Sequence, residues 1–258
     1  MIIDDPVPLS EAVKFMLAKD ILPTNLDSAG LRELDAAIRR QSMFSAKTTN
    51  EYLLQLYRDR IAGILHPEPA EGQATTDFSP AYVRQAVKDL LVETGYQPEA
   101  DQRGTVKDLS SDARINLVIQ TNRDMARSAG TFIEGQAAAI LDEWPAQELF
   151  RAEDRKEPRD WPQRWRLCAA VVGDVDAARV LDTTGQMIAR KDSEIWQALG
   201  DGDDGSTDTL GNPFPPFAFM SGMWVRDVDR AMAQTLGLID ANETVKPFSL
   251  ADLFKGAA

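Results

Sequence analysis

The chain has 258 residues, 43% of them apolar, and a net charge of −13. That length accommodates one large domain or two modest ones, and that apolar content excludes wholesale disorder. The charge excludes a broad DNA-binding face, because the average field repels phosphate backbones and anionic lipid.

In chain order, the first half reads as helices. Ser10 precedes Ala12, Val13, Met16 and Leu17, an apolar stripe at helical spacing. After Pro23, Asp27-Ser28 can cap a helix bearing Leu31, Leu34 and Ile38. Tyr52, Leu53, Leu56, Tyr57, Ile61, Ile64 and Leu65 predict a long helix that starts near either Ser42 or Asn50. From His66 to Ser79 the pattern stops at Pro67, Pro69 and Gly72, which mark a loop or linker. Ser79-Pro80 opens the next helix, lined by Val83, Val87, Leu90 and Leu91 and stopped at Gly95. The longest helix is expected from about Ser110 to Trp144-Pro145, carrying Ile115, Val118, Ile119, Met125, Phe132, Ile133 and Leu141.

The texture then changes. All five tryptophans lie at or beyond Trp144 (Trp144, Trp161, Trp165, Trp196 and Trp224), joined by Phe214, Phe217 and Phe219. Large rings bury much area per residue, so they can hold a small module of short elements together. Strands are expected at Glu148–Ala152 and Gln186–Ala189, short helices after Asp160 and Asp192, and another helix from about Arg226 to Leu236. The fold class is therefore mainly helical α+β: a helical N-terminal half followed by a small aromatic-rich α+β module. The expected divisions are a helical region at 1–65, a linker at 66–79, a helix and connecting loop at 80–109, the module at 110–240 and a tail at 241–258.

Conventional catalytic chemistry has few candidates. His66 is the only histidine, and it sits at a helix end, where the negative pole of the helix favours it. Cys168 is the only cysteine. It cannot form an internal disulfide and, next to Leu167 and Ala169, reads as a small buried side chain. Two such residues cannot build a usual zinc site. The acidic run Asp201–Asp208 breaks the calcium-loop register at Gly205 and reads as a solvated loop. No glycine-rich phosphate cradle is present, so no cofactor is expected. The N-terminus carries Asp4 and Asp5 where a signal peptide needs bases, and no apolar run approaches the ~20 residues of a bilayer span, so neither export nor a membrane partner is expected.

One segment of any size is net positive. Arg151, Arg155, Lys156, Arg159, Arg164 and Arg166 are interleaved with Glu153, Asp154, Glu157 and Asp160. Mutual ion pairing is one reading, and a contact with an anionic partner is the other. A third assigns Glu153, Asp154 and Asp160 to a carboxylate-dependent enzyme, a Mg²⁺-dependent nuclease or a glycosidase.

Several segments, in order, carry a family resemblance. These are Thr121–Gly130; Pro145–Arg155 running into Asp160–Trp165; Gly185–Ala189; and Asn212–Phe217 followed by Ser221–Val225. Together they resemble the phage Mu F-like minor head proteins, the head-morphogenesis proteins of tailed phages, over about residues 110–240. Many members carry Cys and His around the Asp-Arg turn and after the Pro-Pro motif. Lys156, Ala218, Phe219 and Met220 stand at those places here, so no metal or disulfide role is carried over. The resemblance implies a low-copy structural virion protein, not an enzyme. Such a protein is made in the host cytoplasm and sits at the head or portal vertex. Its partners are the portal and other head proteins, with room for non-specific DNA contact and oligomeric assembly. It implies a role in head assembly or in DNA packaging or delivery; a host-directed protein delivered with the DNA is the related alternative. The toxin extension of some members is not expected, because the chain ends at Ala258.

Overall fold

The structure, a computed structural model, describes residues 10–66 and 79–249. Most of the expected linker, residues 67–78, lies outside them. The protein is mainly helical α+β, with eleven helices and five short strands among the described residues. It divides into two compact units, Met1–Ala29 with Gln41–Thr131 and Gly30–Arg40 with Phe132–Ala258. The boundary falls inside a helix rather than near residue 110, and residues 30–40 return to the second unit. Local composition cannot register such a long-range return.

The first unit is helical. It holds α1 (Ser10–Leu17), α4 (Glu51–Leu65), α5 (Pro80–Glu93) and most of α6 (Asp112–Glu134). Asn50 fixes the start of α4, accepting a hydrogen bond from the Leu53 N–H at 3.1 Å. Ser42–Met43 instead forms a short strand, β2, paired in parallel with β1 (Asp20–Ile21). Leu53, Leu54, Tyr57, Ile61 and Leu65 face inward on α4, which packs on α1 and α5. Ser79 caps α5 and Pro80 begins it, as the sequence predicts. The helix expected over Leu31–Ile38 is two: α2 (Ser28–Arg32) and α3 (Ala36–Gln41). Asp35 ends the first register and starts the second, accepting from the Ala37 N–H at 2.8 Å.

In the second unit, β3 (Ala146–Arg151) is the centre of an antiparallel sheet in the order β4-β3-β5, flanked by β4 (Met187–Arg190) and β5 (Met223–Val228). The register sets Leu149 opposite Met187 and Val225. Successive strand side chains point to opposite faces, and both faces are covered. Leu149, Met187, Ala189 and Met223 enter one cluster with Trp161, Trp165, Trp196 and Phe217. Ala146, Ile188 and Val228 enter another with Leu141, Val180, Leu238 and Val245. Val245, placed in a tail by composition, is therefore part of the core.

Helices α8 (Trp161–Val172), α9 (Val175–Thr184) and α10 (Ile195–Asp201) surround the aromatic cluster. Asp160 caps α8 and Asp174 caps α9, each through its side chain, and Gly173 and Gly185 end them in the left-handed conformation. The expected helix over Arg226–Leu236 is corrected. Residues 226–228 complete β5, and the helix, α11, is only Arg230–Thr235 behind the Asp229 cap. The long helix expected to reach Trp144 is also two, α6 and α7 (Ala138–Glu143). Turns from Gln136 N–H to the Ile133 carbonyl and from Ala137 N–H to the Glu134 carbonyl separate them.

One close backbone approach holds the long 201–222 connection to α10. The Gly211 N–H donates to the Gly200 carbonyl at 2.8 Å, and a Cβ on Gly200 would lie 1.9 Å from the Asn212 carbonyl oxygen. Gly200→Ala is expected to lower the stability of the second unit by an amount near the upper end of the ~1–3 kcal/mol of an overpacked core. A thermal melt followed by tryptophan fluorescence checks it, and an unchanged melt would mean the connection can move aside.

Candidate functional site

The arginine-rich segment is built on the end of β3, the following turn and the first half of α8. Its cations are mostly spent on the protein itself. Arg151 donates to the Arg159 carbonyl at 3.3 Å, Arg155 pairs with Glu153 at 2.7 Å, and Arg166 pairs with Asp182 at 2.9 Å. Arg159 and Arg164 converge on one carboxylate, Asp208, at 2.5 Å and 3.0 Å. Arg159 also donates to the carbonyls of Phe219 (2.7 Å) and Met220 (3.3 Å). The Arg164 guanidinium lies 5.1 Å over the Trp161 ring. Lys156 is exposed.

These six side chains therefore do not gather as one free cationic face. The ion-pairing reading is closer, but its partners are mostly distant. Glu153 is the one interleaved acid among the pairs just named, and Asp160 caps α8 by accepting from the Gln163 N–H at 3.0 Å. Glu153, Asp154 and Asp160 are all exposed. Among the described residues, no group of three or more His, Cys, Asp or Glu could hold a metal ion.

The acidic run is solvated only in part: Asp203, Gly205 and Thr207 are exposed, while Asp204 and Asp208 turn to the protein. The Asp204 side chain is 5% exposed and accepts from the Ser206 hydroxyl at 2.6 Å. Burial opposes ionisation of Asp208, but the hydrogen bonds and charges of Arg164 and Arg159 hold its carboxyl below the usual carboxylate range. Sequence reasoning missed Asp208 because its cationic partners lie more than forty residues away in the chain. Burial, with the Asp204 charge nearby, pushes the Cys168 thiol up to about 12, so it is no nucleophile near neutral pH. His66 is the exposed C-cap of α4, its backbone N–H bonded to the Ala62 and Gly63 carbonyls.

The second unit also contains a cavity of about 980 Å³, missed by the sequence reading. Its walls come from α3, α10, the turn after β4, the segment 243–248, Phe132 and Pro213. Charge on the walls is largely paired within the protein. Arg190 binds Asp192 with two nitrogens (2.8 and 2.9 Å) and also reaches Glu243, while Lys191 pairs with Asp227 at 2.7 Å. Burial works against an ionised Asp192, yet Arg190 and the Lys246 N–H keep its carboxyl below the usual range. Asp201 behaves oppositely. Burial raises its carboxyl, Asp203 adds to that, and Gln197, Arg40 and Arg39 reverse only part of it.

The tryptophan rings serve packing. Trp161, Trp165 and Trp196 are at most 2% exposed. Trp165 meets Trp196 edge-on at 5.2 Å, and Trp196 stacks on Phe217 at 6.2 Å. Trp196 reaches the cavity wall, while its indole N–H is bonded to the Arg190 carbonyl at 2.8 Å. No protein-family model matches the chain, and neither a curated protein nor a solved structure matches it significantly.

Proposed function

We propose that the chain is a structural minor head protein of a tailed phage or prophage, portal-associated and acting in head assembly or in DNA packaging or delivery. One observation supports this reading. Apart from Thr121–Gly130, which lies in the first unit, the segments that resemble the Mu F-like proteins are parts of a single unit. Pro145–Arg155 supplies β3, Asp160–Trp165 opens α8, Gly185–Ala189 leads into β4, and Ser221–Val225 leads into β5. Asn212 is fully buried, its side-chain amide bonded to the Pro216 carbonyl at 3.2 Å. Residues that form one packed body fit a scaffold role, since their rings and arginines are engaged in holding the body together.

Co-expression with the portal protein of the same phage or prophage tests the proposal. The expected result is co-purification through a high-salt wash, and the presence of the chain in purified particles at a few copies each. Absence from both portal complexes and particles would overturn the reading. Retention in emptied particles separates a head component from a protein delivered with the DNA.

A further inference from the structure

Helix α3 is attached to the second unit in an unusual way. Its apolar residues Ala36, Ala37 and Ile38 are only half-buried, whereas Arg39 is 5% and Arg40 is 8% exposed. A short helix that belongs to a core normally buries apolar area; this one buries charge. Arg39 donates to the Thr209 carbonyl and, at 3.3 Å, to the Thr209 hydroxyl, while Arg40 donates to the Gly211 carbonyl at 2.6 Å. Arg39 Nε is buried without an acceptor. Burial pulls the Arg39 guanidinium below its ordinary value, and Asp201, Asp35, Asp208 and Glu33 offset only part of that.

Two further features make the attachment local. The Ala36 carbonyl lies against Gly211, where a Cβ would come within 2.1 Å of its oxygen. Asp35, Ala36, Ala37 and Arg40 also border the cavity. The chain also enters and leaves this excursion through paired strands: Asp20 is in register with Ser42 and Ile21 with Met43, and both strands belong to the first unit. The segment between them is thus a closed loop, tied at its base and stapled at its tip by two desolvated guanidinium groups. Desolvation of these charges opposes the gain from their hydrogen bonds, while the buried side chain of Leu31, at 5% exposure, adds to the docking of the segment.

We propose that residues 30–40 are a displaceable strap on the second unit, and that the site at Thr209 and Gly211 accepts the same arginine-bearing segment in trans from a second copy of the chain. This does not depend on the head-protein reading. Release would widen the cavity along the wall that α3 supplies, and exchange between copies would link neighbours without a new surface.

Hydrogen exchange on the intact chain is the first test. Amides of α3 are expected to exchange at least ~100-fold faster than those of β3 in the same unit, because they open locally. The second uses a fluorescein-labelled peptide of residues 30–41 with the Arg39→Gln/Arg40→Gln chain. That chain is expected to keep its tryptophan near-ultraviolet signal and to bind the peptide at least ~10-fold more tightly than the unchanged chain does. A peptide with both arginines replaced should not bind. Gly211→Ala, altered on the receiving side, should speed α3 exchange and bind no peptide. Exchange of α3 at the β3 rate would overturn the proposal. So would loss of the second unit's cooperative unfolding in both variants, or a folded double variant that binds the peptide no better than the unchanged chain.

Discussion

Trp165→Ala is expected to lower the stability of the second unit by about 3–5 kcal/mol, the range for removing a large ring from a packed core. Trp165 is 0% exposed, sits on the inner face of α8 and meets Trp196 edge-on at 5.2 Å. Its indole N–H donates to the Ala177 carbonyl at 3.1 Å, so truncation leaves a cavity and removes a buried hydrogen bond made in addition to the helical one. The composition provides its own probes. All five tryptophans fall within 132–258 and all four tyrosines within 41–131. A urea titration followed by tryptophan emission therefore reports the second unit separately. Trp144 and Trp224 are only half-buried, and the same truncation there should cost clearly less. A loss below ~1 kcal/mol at Trp165 would be the size of an ordinary substitution and would contradict a role in the core.

Much of the fold was legible because its signals are local. A side chain that bonds a backbone N–H three residues ahead announces itself in sequence, as Ser79 and Asp160 do, whereas the Asn50 cap is one of two starts the sequence allows for α4. The short strands expected at 148–152 and 186–189 lie within two residues of the observed ends of β3 and β4. Signals for α9 were present in Asp174 and Gly185 but were not read; its exposed Val175 and Val171 before it blur the apolar stripe. Residues 226–228 were misplaced because Arg226 and Asp227 are exposed on an outer strand, where a short polar run resembles a helix start. The rest was not legible, since it rests on pairings across the chain. Arg39 and Arg40 meet carbonyls about 170 residues away, and no local pattern distinguishes a buried arginine of this kind from an exposed one. Asp208 likewise reads as one acid among many until the fold brings Arg159 and Arg164 to it.

That convergence carries the second large effect. Asp208→Ala is expected to destabilise the second unit by about 3 kcal/mol, the lower end for removing one partner of a buried ion pair, because these side chains keep between 17% and 26% exposure. The loss has two parts. Arg159 is left partly buried without a carboxylate and Arg164 with only Asp204, 3.7 Å away, and residues 208–220 lose the anchor that holds them against the first turn of α8. The pH dependence has a definite sign. The folded-state carboxyl of Asp208 titrates below its ordinary value, so its contribution is complete above the unfolded carboxylate range, near pH ~4, and disappears as pH falls through the depressed folded value. Asp192 is shifted in the same direction by Arg190 and the Lys246 N–H, against its own burial, so the acid limb of the unchanged chain contains both contributions. The difference between that chain and Asp208→Asn isolates one. It should be greatest near neutrality and shrink toward zero at the acid end. Parallel stability curves across that range would show that the charge on Asp208 contributes nothing, leaving Arg159 held by the Phe219 and Met220 carbonyls alone.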